Sequence, residues 1–155
     1  MNIFVVSEDQ KKCAMALDDL RLRKMVLESA QMLCTAIIQH GGFSPYKAAH
    51  PKHPCTIWTA HSRENFEWHL RLLQTLHDEY IFRFEKPHKS YLDCFQLLRR
   101  QVELLPSNGM TAFVNATPRK NIPDVFLAYR LTLSDKWNND KKEPTWKNRQ
   151  KPEWA

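Results

Sequence analysis

Arg21, Lys24, Glu28 and Gln31 follow one another at steps of three, four and three. On a helix of 3.6 residues per turn, those steps put all four on one face. A carboxylate flanked by cations is what an enzyme needs to hold a phosphate and to stabilise a cationic sugar at once. Asp19, just ahead of the stripe, supplies a second carboxylate. The same pattern also describes a solvated helix face whose ion pairs are weak, and spacing alone leaves both readings open.

A second group is His50-Pro51-Lys52-His53-Pro54-Cys55, followed by Trp58. Prolines stiffen this loop and bias the residues before them to extended shapes. Two histidines three apart suggest zinc, but no second pair with standard spacing accompanies them, so no metal is expected. His50, Lys52 and His53 are better suited to a phosphate or a sugar, with Trp58 as a pocket wall.

Two further clusters are basic and aromatic. Tyr80, Arg83, Lys86, His88 and Lys89 close a long helical stretch, where cations are favoured in any case. The tail interleaves Trp146 and Trp154 with Lys141, Lys142, Lys147, Arg149 and Lys151. That mixture suits base stacking with phosphate contact, or an arm whose tryptophans pack back on the core. No P-loop, dinucleotide-binding glycine fingerprint or G-x-S-x-G elbow occurs, so no cofactor is expected.

The elements that must position these residues are mostly helical. Only three glycines occur in 155 residues, too few for the tight turns of a sandwich or barrel. Ile3 to Val6 forms a short extended run that ties the N-terminus to the core. Ser7 offers a cap for a short helix from Glu8 to Leu17. Met25, Val26, Met32, Leu33, Ile37 and Ile38 mark a helix from Leu20 to Gln39, ended by Gly41-Gly42. A short turn at Thr56 to Ala60 follows a proline-rich loop. Ser62 caps a helix that runs to Phe84, before Pro87. Ser90 to Leu105 and a helix capped by Asp124 and running to Trp137 complete the set. Residues 138–155 read as a basic C-terminal arm on a single compact helical domain.

Composition narrows the setting. Hydrophobic residues make up 43 %, enough for a core, and 23 basic against 17 acidic residues give a net charge of +6, which favours polyanions. No apolar run approaches the ~20 residues of a membrane span, so no membrane partner is expected. Cys13, Cys34, Cys55 and Cys94 contain no C-x-x-C pair and read as free thiols of a cytoplasmic protein.

Several stretches together carry a resemblance: NIFVVS, ALDDLRLRKMVLESAQML, PYKAAHPKHPCTIW, ENFEWHL, DEYIFRFEKPHKS, FLAYRLTLSDKW and the final KPEWA. In this order the chain resembles the pyrimidine-dimer DNA glycosylase-like, or endonuclease V-like, group of phages and prokaryotes. The resemblance spans nearly the whole chain. Its most specific landmarks are K-M-x-x-E-x-A-Q, Lys24 to Gln31, and H-P-C-x-x-W, His53 to Trp58. Val6-Ser7-Glu8 and Pro144-Thr145-Trp146 are similar to short stretches of the phage enzyme that typifies the group. Where much of the group has D-K-H or D-K-R, this chain has Asp19-Leu20-Arg21.

The resemblance implies a glycosylase with lyase activity acting on a damaged or modified pyrimidine in double-stranded DNA, as a monomer in a phage-infected or prokaryotic cell. A free α-amine attacks the sugar C1′ and forms a Schiff base. An α-amine, with an ordinary pKa of about 8, is a better neutral nucleophile at pH 7 than a lysine. Met1 is the candidate amine, since Asn2 is large enough for Met1 to be retained, and Lys24 is the alternative if burial lowers its pKa. Asp19 and Glu28 are both candidates for the charge-stabilising carboxylate. Arg21, Gln31, His50, Lys52, His53, Trp58, Tyr80, Arg83, His88 and Trp146 are the candidate DNA contacts. Two other classes stay open: a non-catalytic phage DNA-binding or anti-defence protein, and an enzyme acting on free nucleotides.

Overall fold

The computed structural model describes all 155 residues. It contains six α-helices and no strand: α1 (Gln10–Ala16), α2 (Asp19–Gln39), α3 (Pro54–His61), α4 (Arg63–Phe84), α5 (Lys89–Arg100) and α6 (Val125–Asn139), with a 3-10 turn at Val102–Leu104 after α5. No helix is long and apolar enough to cross a membrane.

Each helix begins where a side chain can take up a free N–H. The Asp18 carboxylate accepts from the Arg21 N–H at the start of α2, Ser62 Oγ accepts from the Asn65 N–H at 3.1 Å to start α4, and Asp124 caps α6. α3 starts two residues earlier than expected, because His53 Nδ1 accepts from the Cys55 N–H at 3.1 Å and Pro54 sits in the first turn, where it loses no hydrogen bond. Ser7 is not the cap of α1. Its hydroxyl accepts from the Asp9 N–H, and Asp9 in turn caps the helix at Lys11. α2 ends at His40 and Gly41, whose φ of +81° costs glycine little. α5 stops at Arg100 rather than at Leu105, because the chain tightens there into the 3-10 turn.

α4 is the central helix, packed on α1, α2, α3 and α5. α2 lies beside it and also meets α3 and α5. Leu22, Met25, Val26, Ala30, Leu33 and Ile37 of α2 and Phe66, Leu73 and Leu76 of α4 are buried in the same core. Full burial of one such leucine or phenylalanine is worth about 1.5–3 kcal/mol. All four cysteines are buried and free.

Both chain ends are held against the core. Ile3 to Val6 is fully buried yet pairs with no strand. It kinks at Phe4, where φ is +43°, and the Val6 N–H turns back to the Phe4 carbonyl at 2.9 Å. Residues 138–155 form no free arm. The Trp146 indole N–H donates to the Ala16 carbonyl at 3.0 Å, and Trp146 and Trp154 both pack on the buried Trp137. Tryptophans that find apolar partners and an N–H acceptor within the same chain stay on the body.

Candidate active site

The buried run Ile3 to Val6 draws the first two residues onto α2. Asn2 Oδ1 accepts from the N–H groups of Ile3 at 2.7 Å and Phe4 at 2.9 Å, so the side chain clamps its own turn. Its Nδ2 reaches the Ala116 carbonyl at 3.4 Å. With the turn held, the Asn2 N–H donates to Glu28 Oε2 at 3.2 Å, and the Met1 α-amine stands 3.8 Å from the same oxygen. Glu28 keeps 22 % of its side chain exposed, so the pair is neither sealed in the core nor free in solvent.

A cavity of about 210 Å³ opens over this pair. Lys24 and Arg21 line it one and two turns before Glu28, Leu20 lies beside them, and Lys136 enters from α6. Arg21 is already engaged, with two bonds to Asp140 at 2.8 and 2.9 Å and one to Asp18 at 3.1 Å. The Asp140 bonds hold the guanidinium above its ordinary pKa and the Asp140 carboxyl below its own. Lys24 and Lys136 are exposed and are the cations of the cavity best placed to meet a phosphate.

His53 joins this region from the other side. Burial, then the charges of the N-terminal amine and of His50, push its pKa down, while a hydrogen bond to the Met1 backbone acts the other way. The imidazole therefore feels the charge of the α-amine, as well as capping α3. His50, at φ +48°, and Lys52 are exposed on the same loop. Gln31 is half-buried on α2, one turn beyond Glu28. The stripe of α2 thus borders the cavity at Arg21, Lys24 and Glu28.

Other candidate residues belong to the framework. Asp19 lies outside this cavity. It accepts from Arg83 at 3.1 Å, from the Thr145 hydroxyl at 2.7 Å and from the Lys147 N–H at 3.0 Å. Burial alone would raise its pKa, but these bonds outweigh burial and hold the carboxyl below its usual range. Arg83 is 0 % exposed and bonds to Glu79, Asp19 and the carbonyls of Leu17 and Met15, so burial keeps it from a phosphate. Trp58 is a core residue, stacked on Phe113 and edge-on to Trp68, with its N–H given to the Ala112 carbonyl. Tyr80 is buried against Phe84 and His88. His88 caps α5 through Nδ1, and its Nε2 contacts the Arg23 carbonyl. Trp146 is half-buried, held edge-on to Trp137 with its indole N–H on the Ala16 carbonyl. In each case an internal partner satisfies the polar group or covers the ring.

Asn2 and Lys136 are contributors that the spacing did not point to. Asn2 had one available signal, a turn-forming side chain directly ahead of an apolar run. Lys136 had none, since only the packing of α6 brings it to α2. A fully buried histidine, His69, links three helices. Its Nδ1 pairs with Thr59 Oγ1 at 2.7 Å and its Nε2 with Ser29 Oγ at 3.0 Å. Burial lowers its pKa to about 3, so it stays neutral and bridges the core. No three His, Cys, Asp or Glu side chains converge as a metal site. No family model, no curated protein and no solved structure matches this chain.

Proposed function

We propose that this protein is a DNA glycosylase with lyase activity, of the pyrimidine-dimer glycosylase-like kind, acting on a damaged or modified pyrimidine. The observation that carries this reading is the Met1 α-amine 3.8 Å from Glu28 Oε2, at a cavity bordered by Lys24 and Lys136. The reaction needs an amine, a nearby carboxylate and cations for flanking phosphates, and Met1, Glu28, Lys24 and Lys136 border one small opening.

The steps follow from those groups. The extrahelical nucleotide presents C1′ to the α-amine. The amine nitrogen bonds to C1′ as the glycosidic bond breaks, and the base leaves with the bonding pair and takes up a proton. Glu28 accepts a proton from the attacking amine and offsets the positive charge that develops on the sugar. Ring opening moves a proton to O4′ and leaves an iminium, from which loss of a C2′ proton expels the 3′ phosphate. Asp19 is too fully engaged for the carboxylate role, which leaves Glu28. Lys24 is the second amine of the cavity.

Borohydride trapping tests this reading, because hydride reduces the iminium to a stable amine. An ultraviolet-irradiated duplex and an abasic-site duplex are each incubated with the wild type, Glu28→Gln and Lys24→Ala. The expected result is a covalent adduct that Glu28→Gln loses and that peptide mapping places on Met1. An adduct on Lys24 would move the nucleophile. No adduct on either duplex would overturn the lyase. Salt-sensitive duplex binding without an adduct would then favour a non-catalytic DNA-binding protein.

A further inference from the structure

Leu20 is a large apolar side chain with 52 % of its surface in water. It stands at the first turn of α2, where a helix ordinarily shows solvent a polar residue. It is also the single residue shared by two neighbouring cavities. On one side is the cavity of Met1 and Glu28. On the other is a larger opening of about 440 Å³, bordered by Arg23, Lys141 and Lys142. Three carboxylates in that second opening are already engaged: Asp18 by Trp137 and Arg21, Asp19 by Arg83 and Thr145, and Asp140 by Arg21. Glu143 is the single unengaged acid against three cations. Leu20 is therefore an apolar ridge between two concavities, with Lys24 and Lys136 on one side and Lys141, Lys142 and Arg23, whose guanidinium lies over the Phe84 ring, on the other.

We propose that Leu20 is the wedge that enters the base stack when the target nucleotide leaves it, and that Arg23, Lys141 and Lys142 hold the phosphates next to that nucleotide. This rests on the glycosylase reading above. Withdrawing a nucleotide from a duplex leaves an apolar gap whose opening costs stacking energy, and an exposed aliphatic side chain recovers part of that cost by filling it. A leucine at the lip of the cavity that receives the nucleotide meets the requirement in position and in chemistry. The second opening gives the kinked strand somewhere to run. A lysine at this position would add a charge but could not fill an apolar gap.

The test separates the wedge from the chemistry. A duplex carries an abasic site with 2-aminopurine as its neighbour, a base that brightens when it is unstacked. Wild type, Leu20→Ala and Leu20→Phe are compared by fluorescence and by borohydride trapping on the same duplex, and by trapping on an irradiated one. Leu20→Ala should give little of the brightening, and should lose more trapping on an irradiated duplex, where the nucleotide must still be withdrawn, than on the abasic duplex, where the gap is preformed. Leu20→Phe should restore the brightening. Since Leu20 is half exposed, neither change should disturb folding, which circular dichroism checks. Equal brightening with wild type and Leu20→Ala would overturn the wedge while leaving the trapping chemistry in place. Failure of the wild type to be trapped at all would overturn the lyase reading on which the wedge rests.

Discussion

Arg83 Nη1 donates to Asp19 Oδ1 at 3.1 Å across 64 positions of the chain, and the guanidinium has no exposed surface. The same side chain reaches Glu79 and the carbonyls of Leu17 and Met15. Asp19 meanwhile accepts from Thr145 and from the Lys147 N–H. One buried cation thus joins α4, the end of α1, the start of α2 and the C-terminal segment. The arrangement explains why a charged residue tolerates the core: its donors have partners, and its charge faces two carboxylates.

Removing Arg83 leaves Asp19 and Glu79 facing each other's surroundings without their shared cation. Arg83→Ala should cost about 3–5 kcal/mol, measured as a drop in the urea midpoint at unchanged slope. Arg83→Lys should recover little, since an ammonium cannot span the same set of acceptors. A loss below about 1 kcal/mol for Arg83→Ala would mean that the cluster contributes no more than a surface pair.

Glu28→Gln should separate activity from stability. The Met1–Glu28 pair is partly exposed, and such pairs contribute about 0–1 kcal/mol, so the unfolding midpoint should barely move. Trapping on an abasic duplex should fall by about 100-fold or more, as expected for loss of a group that stabilises developing charge. Equal losses of stability and trapping would make Glu28 a structural residue.

Acid should weaken the fold through His69. Its pKa falls from 6.5 to about 3 in the fold, so on acidification the unfolded chain takes up the proton first. Its contribution is complete above pH 6.5 and is lost as pH falls towards 3, at about 1.4 kcal/mol per unit. Urea midpoints at pH 7, 6, 5 and 4 should show that slope in the wild type. His69→Gln should show less of it, and identical slopes would rule His69 out as the source.

Gly42→Ala should be destabilising although glycine usually gains rigidity on that change. A Cβ there would lie 2.5 Å from Ile37 Cγ2 and 2.7 Å from both Gln101 Oε1 and Leu104 Cδ1. Overpacking of this kind costs about 1–3 kcal/mol. Thermal unfolding of the variant checks it, and an unchanged midpoint would show that these side chains yield freely.

Helix periodicity and caps were legible. Ser62, Asp124 and Gly41 mark element ends by chemistry that acts locally, and the helices lie where those residues put them. The stripe Arg21, Lys24, Glu28 was legible for the same reason, since spacing sets the face of a helix. What faces that stripe was not. Lys136 and Asn2 arrive through packing between segments far apart in sequence. Arg83, Trp58 and Tyr80 were misleading for a related reason: residue type suggests DNA contact, but burial depends on partners such as the Met15 and Ala112 carbonyls that no local pattern announces. Trp146 was similarly decided by the Ala16 carbonyl and Trp137.

The hydrogen bond from the Asn2 backbone nitrogen to Glu28, at 3.2 Å, bears on maturation. An aminopeptidase that removed Met1 would convert that nitrogen from an amide into a free amine, already beside the same carboxylate. The clamp that Asn2 forms with Ile3 and Phe4 does not involve Met1, so the new terminus would keep its place. Processing would then replace one amine with another three backbone bonds further in, beside the same carboxylate in either state.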